Sequence, residues 1–428
     1  MPTQIQASKD SDVRTCIRLL EELTADYRGR SFAVRFWDGS EWSYLDRPQF
    51  TFVLKHPGSL RNMFLSPSEL TLGEAFIYDD FDVEGDLEAA FELGEALLSR
   101  GYSLLDKLKF GGMLTRLPAK SRRRDGRDGP DLTGAVHSKE RDRRAVTYHY
   151  DVSNEFYSLW LDRQMVYSCA YFESAGDGID TAQTQKLDYI CRKLRLRAGE
   201  RLLDLGCGWG GLLIHAARNY GVQAFGITLS IPQAEIARQR IREEGLTDRC
   251  RVDVYDYRDL ESGAEFDKLV SVGMFEHVGE AMLPEYFRQA WLRLRPGGTF
   301  LNHGIASSAG FKRSGPSFID KYVFPDGELV PIHVTLRAAE LSGFEVRDVE
   351  NLREHYALTL REWVGRLESK AEQAKNIVED STYRVWRLYM SGSAHAFKTS
   401  RLNLYQVLLS KPDHGQSRLP LTREDWYS

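Results

Sequence analysis

A chain of 428 residues, 42% hydrophobic and 28% charged, reads as a globular protein of about two or three domains. Its 57 Lys and Arg against 62 Asp and Glu leave a net charge of −5, which argues against a wholesale nucleic-acid binder. No apolar run approaches the length of a membrane span, and Lys9, Asp10, Asp12 and Arg14 occupy the place of a signal-peptide core, so neither is expected.

The first elements read as a small α+β domain over 1–114. Val13, Ile17, Leu19, Leu20 and Leu23 recur at helical spacing. Phe32–Trp37 and Glu41–Leu45 alternate around Asp38-Gly39, a hairpin signal. Phe50–Leu54 is a further strand, followed by helices over Ser59–Phe64, Pro67–Ile77 and Leu87–Leu98. Residues 115–145 change character. Counted from Lys107, this stretch holds twelve basic residues against five acidic ones, with Pro118, Pro130 and Arg122-Arg123-Arg124 in it. The plain reading is a solvated basic linker. The sharper reading notes Leu104, Leu105, Leu108, Phe110, Met113, Leu114 and Leu117 interleaved with Lys107, Lys109 and Arg116, an apolar face with a basic fringe that suits a bilayer interface. Gly111-Gly112 weakens a helix there.

From 146 to 428 the pattern becomes strand and helix alternation. Helices are expected at Lys186–Leu194, Gly211–Tyr220, Ile231–Glu244 and Pro284–Leu294. Strands are expected at Glu200–Leu205, Gln223–Thr228, Cys250–Tyr255, Phe266–Val272 and Thr299–His303. Such βα repeats predict an α/β fold with a doubly wound sheet. Two late strands, Phe344–Val349 and Leu402–Leu409, flank a helical insertion over 356–398 rich in Trp363, Tyr383, Trp386, Tyr389 and Phe397, which either caps the sheet or covers a substrate path.

One motif carries the chemistry. Leu202-Leu203-Asp204-Leu205-Gly206-Cys207-Gly208-Trp209-Gly210-Gly211 is a strand, a glycine turn and a helix start, without the spacing of the dinucleotide fingerprint and without a phosphate-binding lysine in the turn. A second strand ends in Thr228-Leu229-Ser230 before Gln233, and a third in Asp256-Tyr257. Three such strand ends make a ligand crevice at the carboxyl edge of a sheet. The series resembles the S-adenosylmethionine site of class I methyltransferases. The resemblance places Asp204, Gly206 and Gly208 at the methionine part, Thr228, Leu229 and Gln233 at the ribose, and Asp256 and Tyr257 at the adenine.

Further segments are Tyr148-His149-Tyr150-Asp151-Val152-Ser153-Asn154, Tyr167-Ser168-Cys169-Ala170-Tyr171-Phe172, Val272-Gly273-Met274-Phe275-Glu276-His277, Leu301-Asn302-His303-Gly304-Ile305, Lys321-Tyr322-Val323-Phe324-Pro325-Asp326-Gly327 and His355-Tyr356-Ala357-Leu358-Thr359-Leu360. In this order they resemble the cyclopropane-fatty-acyl-phospholipid synthase family, which includes the mycolic acid cyclopropane synthases. The likeness spans 146–410 and, more loosely, LGEAFIYDDFDVEGDLE at 72–88. It implies a class I methyltransferase fold with a helical insertion. It implies methyl transfer from S-adenosylmethionine to the cis double bond of a phospholipid acyl chain, with a carbocation deprotonated by bound bicarbonate and closing to a cyclopropane. Cys169, Glu276, His303, Ile305 (through its backbone) and Tyr356 would hold the bicarbonate, and Tyr150 and Tyr167 would fold over the cofactor. It also implies a membrane lipid as partner at the inner face of the membrane, and a homodimer.

The chemistry is coherent on its own terms. An alkene has no acidic proton, so no side chain need activate it, and a cation in an apolar pocket is steadied by aromatic faces. Only the choice of proton separates a cyclopropane from a methylene- or methyl-branched chain, so both products stay open. Five cysteines (Cys16, Cys169, Cys191, Cys207, Cys250) without a CxxC pair point to a reducing, cytoplasmic setting, and the candidate residues have no metal-ligand spacing. His277, His333 and His355 read as structural or without an assigned role.

Overall fold

A computed structural model describes residues 4–5, 10–27, 29, 31–45, 47–119, 129–150, 152–260, 265–310 and 317–427. The chain begins with β1 (Gln4–Ile5), α1 (Ser11–Leu23), β2 (Phe32–Arg35), β3 (Glu41–Ser43), β4 (Phe50–Leu54), α2 (Ser59–Phe64), α3 (Glu69–Ile77), β5 (Phe81–Gly85), α4 (Leu87–Ser99) and α5 (Leu104–Leu114). Next come α6 (Lys139–Tyr150), α7 (Asn154–Trp160), α8 (Ile179–Leu194), β6 (Arg201–Leu205), α9 (Gly211–Tyr220), β7 (Gln223–Thr228), α10 (Ile231–Glu243), β8 (Cys250–Val254), β9 (Phe266–Val272), α11 (Leu283–Arg293) and β10 (Leu294–Ser307). It closes with α12 (Phe318–Tyr322), α13 (Ile332–Leu341), β11 (Glu345–Asn351), α14 (Arg353–Ser369), α15 (Ala371–Ile377), α16 (Asp380–Lys398) and β12 (Leu402–Ser410). No helix among the described residues is long and apolar enough to cross a membrane.

The chain divides into two compact units, 1–129 with 313–323 and 378–395, and 130–312 with 324–377 and 396–428. The stretch read as a basic linker is split by this division. Residues 115–119 belong to the first unit, 120–128 with Arg122, Arg123 and Arg124 lie outside the described residues, and 130–145 belong to the second unit. There the basic residues have carboxylate partners: Lys139 with Asp259, Arg141 with Asp326, and Arg143 and Arg144 with Glu140. The aromatic insertion is split as well, with Tyr383, Trp386 and Tyr389 in the first unit and Trp363 and Phe397 in the second.

The first unit is built on a five-stranded sheet, β1-β3-β2-β4-β5, in which only β2 and β4 run parallel. Its core gathers Phe32, Trp42, Phe50 and Phe81 with Leu19, Leu20 and Leu23 of α1. Helix α5 forms despite its glycine pair. Ser103 and Asp106 close a reciprocal capping box at its start, and Met113 and Leu114 are buried at its end. Residues 378–395 are tied into this unit by charge. Arg384 reaches Asp79 at 2.8 Å, Asp82 at 2.9 Å and Asp380 at 2.7 Å, and Arg387 donates to the carbonyl of Val83 at 2.8 Å.

The second unit holds a seven-stranded sheet in the order β11-β12-β10-β9-β6-β7-β8. Strands β10, β9, β6, β7 and β8 are parallel, and β12 runs antiparallel to both β10 and β11. Side chains alternate between two cores, as the two-residue period of a strand requires. Leu202, Val270, Leu301 and Leu408 pack with α8, α9 and α10, while Leu203, Leu269, Phe300 and Leu409 pack with α11 and α13. Strand β10 begins five residues before the expected Thr299, because Leu294 already pairs with Phe266 before a register shift that takes up Pro296-Gly297-Gly298.

Replacing Arg384 with Met removes the cation that bridges Asp79 and Asp82 and leaves Asp82 with Arg387 at 3.2 Å. Because these carboxylates are partly exposed, the variant should lose about 1–2 kcal/mol of stability, mostly from the unmet carbonyls of Phe76 and Phe81, read as a lower midpoint in urea.

Candidate active site

The carboxyl ends of β6, β7 and β9 frame a cleft in the second unit, where the strand order reverses direction about β6. All ten residues expected at the cofactor line it: Tyr150, Tyr167, Asp204, Gly206, Gly208, Thr228, Leu229, Gln233, Asp256 and Tyr257.

The turn after β6 depends on glycine. Gly206 has φ +95°, and a Cβ there would lie 2.7 Å from Cβ of Met274. The amides of Gly206 and Cys207 both donate to the carbonyl of Ile227, at 3.0 and 2.9 Å, which ties the turn to β7. Asp204 is buried, with Oδ1 lacking a hydrogen-bond partner among the described residues, and burial pushes its carboxyl well above the usual range. The Thr228 hydroxyl donates to Oε1 of Gln233 at 2.8 Å, closing the end of β7 onto α10. Asp256 holds Arg258 through two bonds, at 2.8 and 2.6 Å, and the same guanidinium reaches Asp142 at 3.0 Å. Asp256 is therefore ion-paired as well as at the cleft wall.

Aromatic rings stand over this cleft. Tyr150 meets Tyr167 edge-on at 6.1 Å, and His149 stacks on Tyr167 at 5.7 Å and on Phe324 at 3.9 Å. Behind Tyr167 stand Trp160 at 5.4 Å and Trp363 at 5.3 Å, and Trp363 in turn meets Tyr356 at 6.1 Å. His277 lines the cleft, and burial lowers its pKa to about 4, so the ring is neutral near pH 7.

The five residues expected to act on the acceptor are not among those lining the cleft, and the structure joins them in two groups. In one, the backbone N–H of Ile305 donates to Oε1 of Glu276 at 2.8 Å, and that of Gly273 to the carbonyl of His303 at 3.0 Å. The amide of Ile305 is thus committed to Glu276. In the other, the Cys169 thiol lies 3.8 Å from the carbonyl of Leu352, which also accepts from the amide of Tyr356 at 3.1 Å. Burial keeps Cys169 a thiol. It holds His303 neutral and pushes Glu276 up to about 7. Oε2 of Glu276 and Nε2 of His303 have no partner among the described residues. A buried polar atom in that condition calls for a partner, which a small polar guest can supply.

Lys186, Arg258 and Ser168 also line the cleft and were not foreseen. Lys186, on the buried face of α8, donates to the Ser168 hydroxyl at 2.9 Å, and its charge is felt at Asp204, Cys169 and His303. A signal existed in the sequence, since Lys186 falls among Ala182, Leu187 and Ile190 on the apolar side of a helix. Burial lowers its pKa to about 8.

A family model described as mycolic acid cyclopropane synthetase matches residues 137–407, and a domain of unknown function matches 19–98. A protein of Pseudomonas putida named "Probable fatty acid methyltransferase" is 44% identical over 401 residues, 92% of this chain and 95% of that one. The "Cyclopropane-fatty-acyl-phospholipid synthase" of Escherichia coli K12 is 38% identical over 276 residues, 64% of this chain and 70% of that one. The crystal structure of the mycolic acid cyclopropane synthase CmaA1 with SAH and CTAB is 31% identical, with a TM-score of 0.59, and covers 62% of this chain and 97% of that one.

Glu276 also gives a stability test. Its native pKa lies above the ordinary 4.5, so between pH 4.5 and 7 the native state keeps a proton that the unfolded chain gives up. The group therefore subtracts stability as pH rises through that window. Glu276→Gln does not titrate. The stability of the variant relative to the parent should rise by about 3 kcal/mol between pH 4.5 and 8 in urea denaturation.

Proposed function

The chain belongs to the mycolic acid cyclopropane synthetase family and is an S-adenosylmethionine-dependent methyltransferase, and from that premise we propose that it cyclopropanates the cis double bond of an unsaturated phospholipid acyl chain. The observation that carries this reading is the pair of buried, unpartnered atoms, Oε2 of Glu276 and Nε2 of His303, in a region without an activated nucleophile. Hydroxyl or amine acceptors call for a base that takes their proton before or during transfer. An alkene instead releases a proton after transfer, from the methyl group it has gained.

In the reaction proposed, the alkene π pair attacks the sulfonium methyl. The carbon–sulfur bond breaks, its electron pair stays on sulfur, and S-adenosylhomocysteine leaves. The positive charge moves to the second alkene carbon. Loss of a proton from the new methyl then frees the pair that forms the last ring bond. Bound bicarbonate would supply a small, weakly nucleophilic base for that proton. Glu276, carrying its own proton part of the time near pH 7, can donate to or accept from such a guest. His303 can donate to it, and so can the hydroxyl of Tyr356. Cys169, held as a thiol, is a poor trap for the cation. The rings of Tyr167, Trp160 and Trp363 present electron-rich faces near the cleft.

A second reading is favoured by the name of the Pseudomonas relative, which is similar over nearly its whole length. Loss of a different proton from the same cation gives a methylene branch, and reduction would give a methyl branch. Incubation with S-adenosylmethionine and cis-unsaturated phospholipid vesicles, followed by proton NMR of the product, decides between them. The cyclopropane reading expects upfield ring methylene protons, and a product with vinylidene or branched-methyl signals alone overturns it. Glu276→Gln should lower the yield at least about 100-fold.

We further infer that α5 meets the lipid surface. Leu104, Leu105 and Leu108 are 75%, 78% and 65% exposed, with Lys107 and Arg116 exposed nearby. Leucines so open to water on one short helix, fringed by cations, match an anionic bilayer interface. Leu105→Asp combined with Leu108→Asp should reduce co-sedimentation with anionic vesicles about tenfold or more. Unchanged sedimentation would remove α5 from the contact.

A further inference from the structure

A polar row crosses three strands of the second unit. β11 and β12 pair Glu350 with Gln406, and β12 and β10 pair Gln406 with His303. Directly opposed residues share one face of a sheet, so the three side chains stand in line. Lys193, near the end of α8, meets this line at its middle. Its Nζ lies 2.9 Å from Oε1 of Gln406 and is ion-paired with Glu350, with Asp348 at 3.6 Å.

The hydrogen bonds along the row allow one direction only. An ammonium has donors and no acceptor. The oxygen of the Gln406 amide must therefore face Lys193, because the reversed amide would set NH2 against NH3+. That leaves the amide nitrogen 3.2 Å from Nδ1 of His303. An amide nitrogen only donates, so Nδ1 accepts and carries no proton. Lys186 and Lys193 are the charges felt at this fully buried ring, both oppose its protonation, and no carboxylate among the described residues offsets them there. The one proton of the neutral ring then sits on Nε2, the atom without a partner among the described residues.

We propose that Lys193 and Gln406 are positioning residues that hold His303 as its Nε2–H tautomer, so that His303 serves the reaction as a hydrogen-bond donor and never as its base. Only the second half of this statement rests on the cyclopropanation reading. The base must then be another group, and a guest at Nε2 of His303 has to offer it a lone pair. An anion or a carboxylate-like oxygen does so, and a cationic or donor-only guest does not.

The test reads the tautomer directly. The full chain, labelled with ¹⁵N-histidine, gives long-range proton–nitrogen correlations for its ten histidines, and His303→Gln identifies the signals that belong to 303. The parent should show a pyridine-type Nδ1 and a pyrrole-type Nε2 at neutral pH. A pyrrole-type Nδ1, or an imidazolium, overturns the proposal. In Gln406→Glu the new carboxylate accepts from the ring, and Nδ1 should become pyrrole-type. In Gln406→Met, which serves if the first variant does not fold, Nδ1 should move part of the way toward that value. An Nδ1 shift equal to the parent's in a folded variant overturns the role of Gln406. S-adenosylmethionine affinity within about twofold of the parent certifies the fold. In Gln406→Met, kcat should fall at least about tenfold, with KM for lipid unchanged. The NMR result does not depend on which product the enzyme makes, so a failure here and a failure of the cyclopropane reading are separate outcomes.

Discussion

Helix α8 sets two lysines, seven residues and about two turns apart, into the same buried layer of the second unit. A buried ammonium without partners costs several kcal/mol, so each dictates what surrounds it. Lys186 requires Ser168, and through it fixes the segment that carries Tyr167 and Cys169. Gln183, one turn earlier, holds the carbonyls of Val166 and Ser168 at 3.1 and 2.9 Å and fastens the same segment. Lys193 requires Gln406 and Glu350, and so aligns three strands at the edge of the site. The cofactor cleft and the acceptor-side residues are thereby positioned by one helix face.

The electrostatic character of the site follows from that burial. Carboxyl groups at 204 and 276 are pushed toward their neutral forms, and the imidazoles at 277 and 303 are kept neutral. The reaction proposed moves one positive charge from sulfur to carbon without creating a new one. A site whose carboxyl groups and imidazoles are held toward neutral forms suits that transfer, because it supplies no strong nucleophile to capture the cation. Aromatic faces interact with a carbocation through their quadrupole and cannot be alkylated as readily as a thiolate.

Much of this was legible in the chain. Strands β6 to β9 and their helices stood out because their apolar runs are short, regular and bounded by glycine or polar ends. The cofactor residues could be named because they sit in sequence at successive strand ends. The harder features are those set by partners remote in sequence. Helix α5 looked weakened by Gly111-Gly112, yet its capping box and its buried end outweigh that cost. Strand β5 lay unseen within 72–88, since Asp82 and Glu84 break the run with charge and only Phe81 and Val83 are buried apolar residues in it. Lys186 stands on the apolar side of its helix, but the hydroxyl that holds it, like the carboxylates that hold Arg258, is set by the fold. The assignment of 378–395 to the first unit depends on Arg384 and Arg387 meeting Asp79, Asp82 and the Val83 carbonyl some 300 positions earlier, as local pattern cannot show.

That last feature bears on how the chain is made. A ribosome delivers the N-terminal sheet early, but the arginines that neutralise its Asp79 and Asp82 arrive only with residues 378–395. Strand β12, which completes the larger sheet between β10 and β11, emerges later still. Neither unit can finish folding until the last tenth or so of synthesis, so the nascent protein carries a small sheet without its arginines and then a larger sheet without β12, a state that favours chaperone engagement.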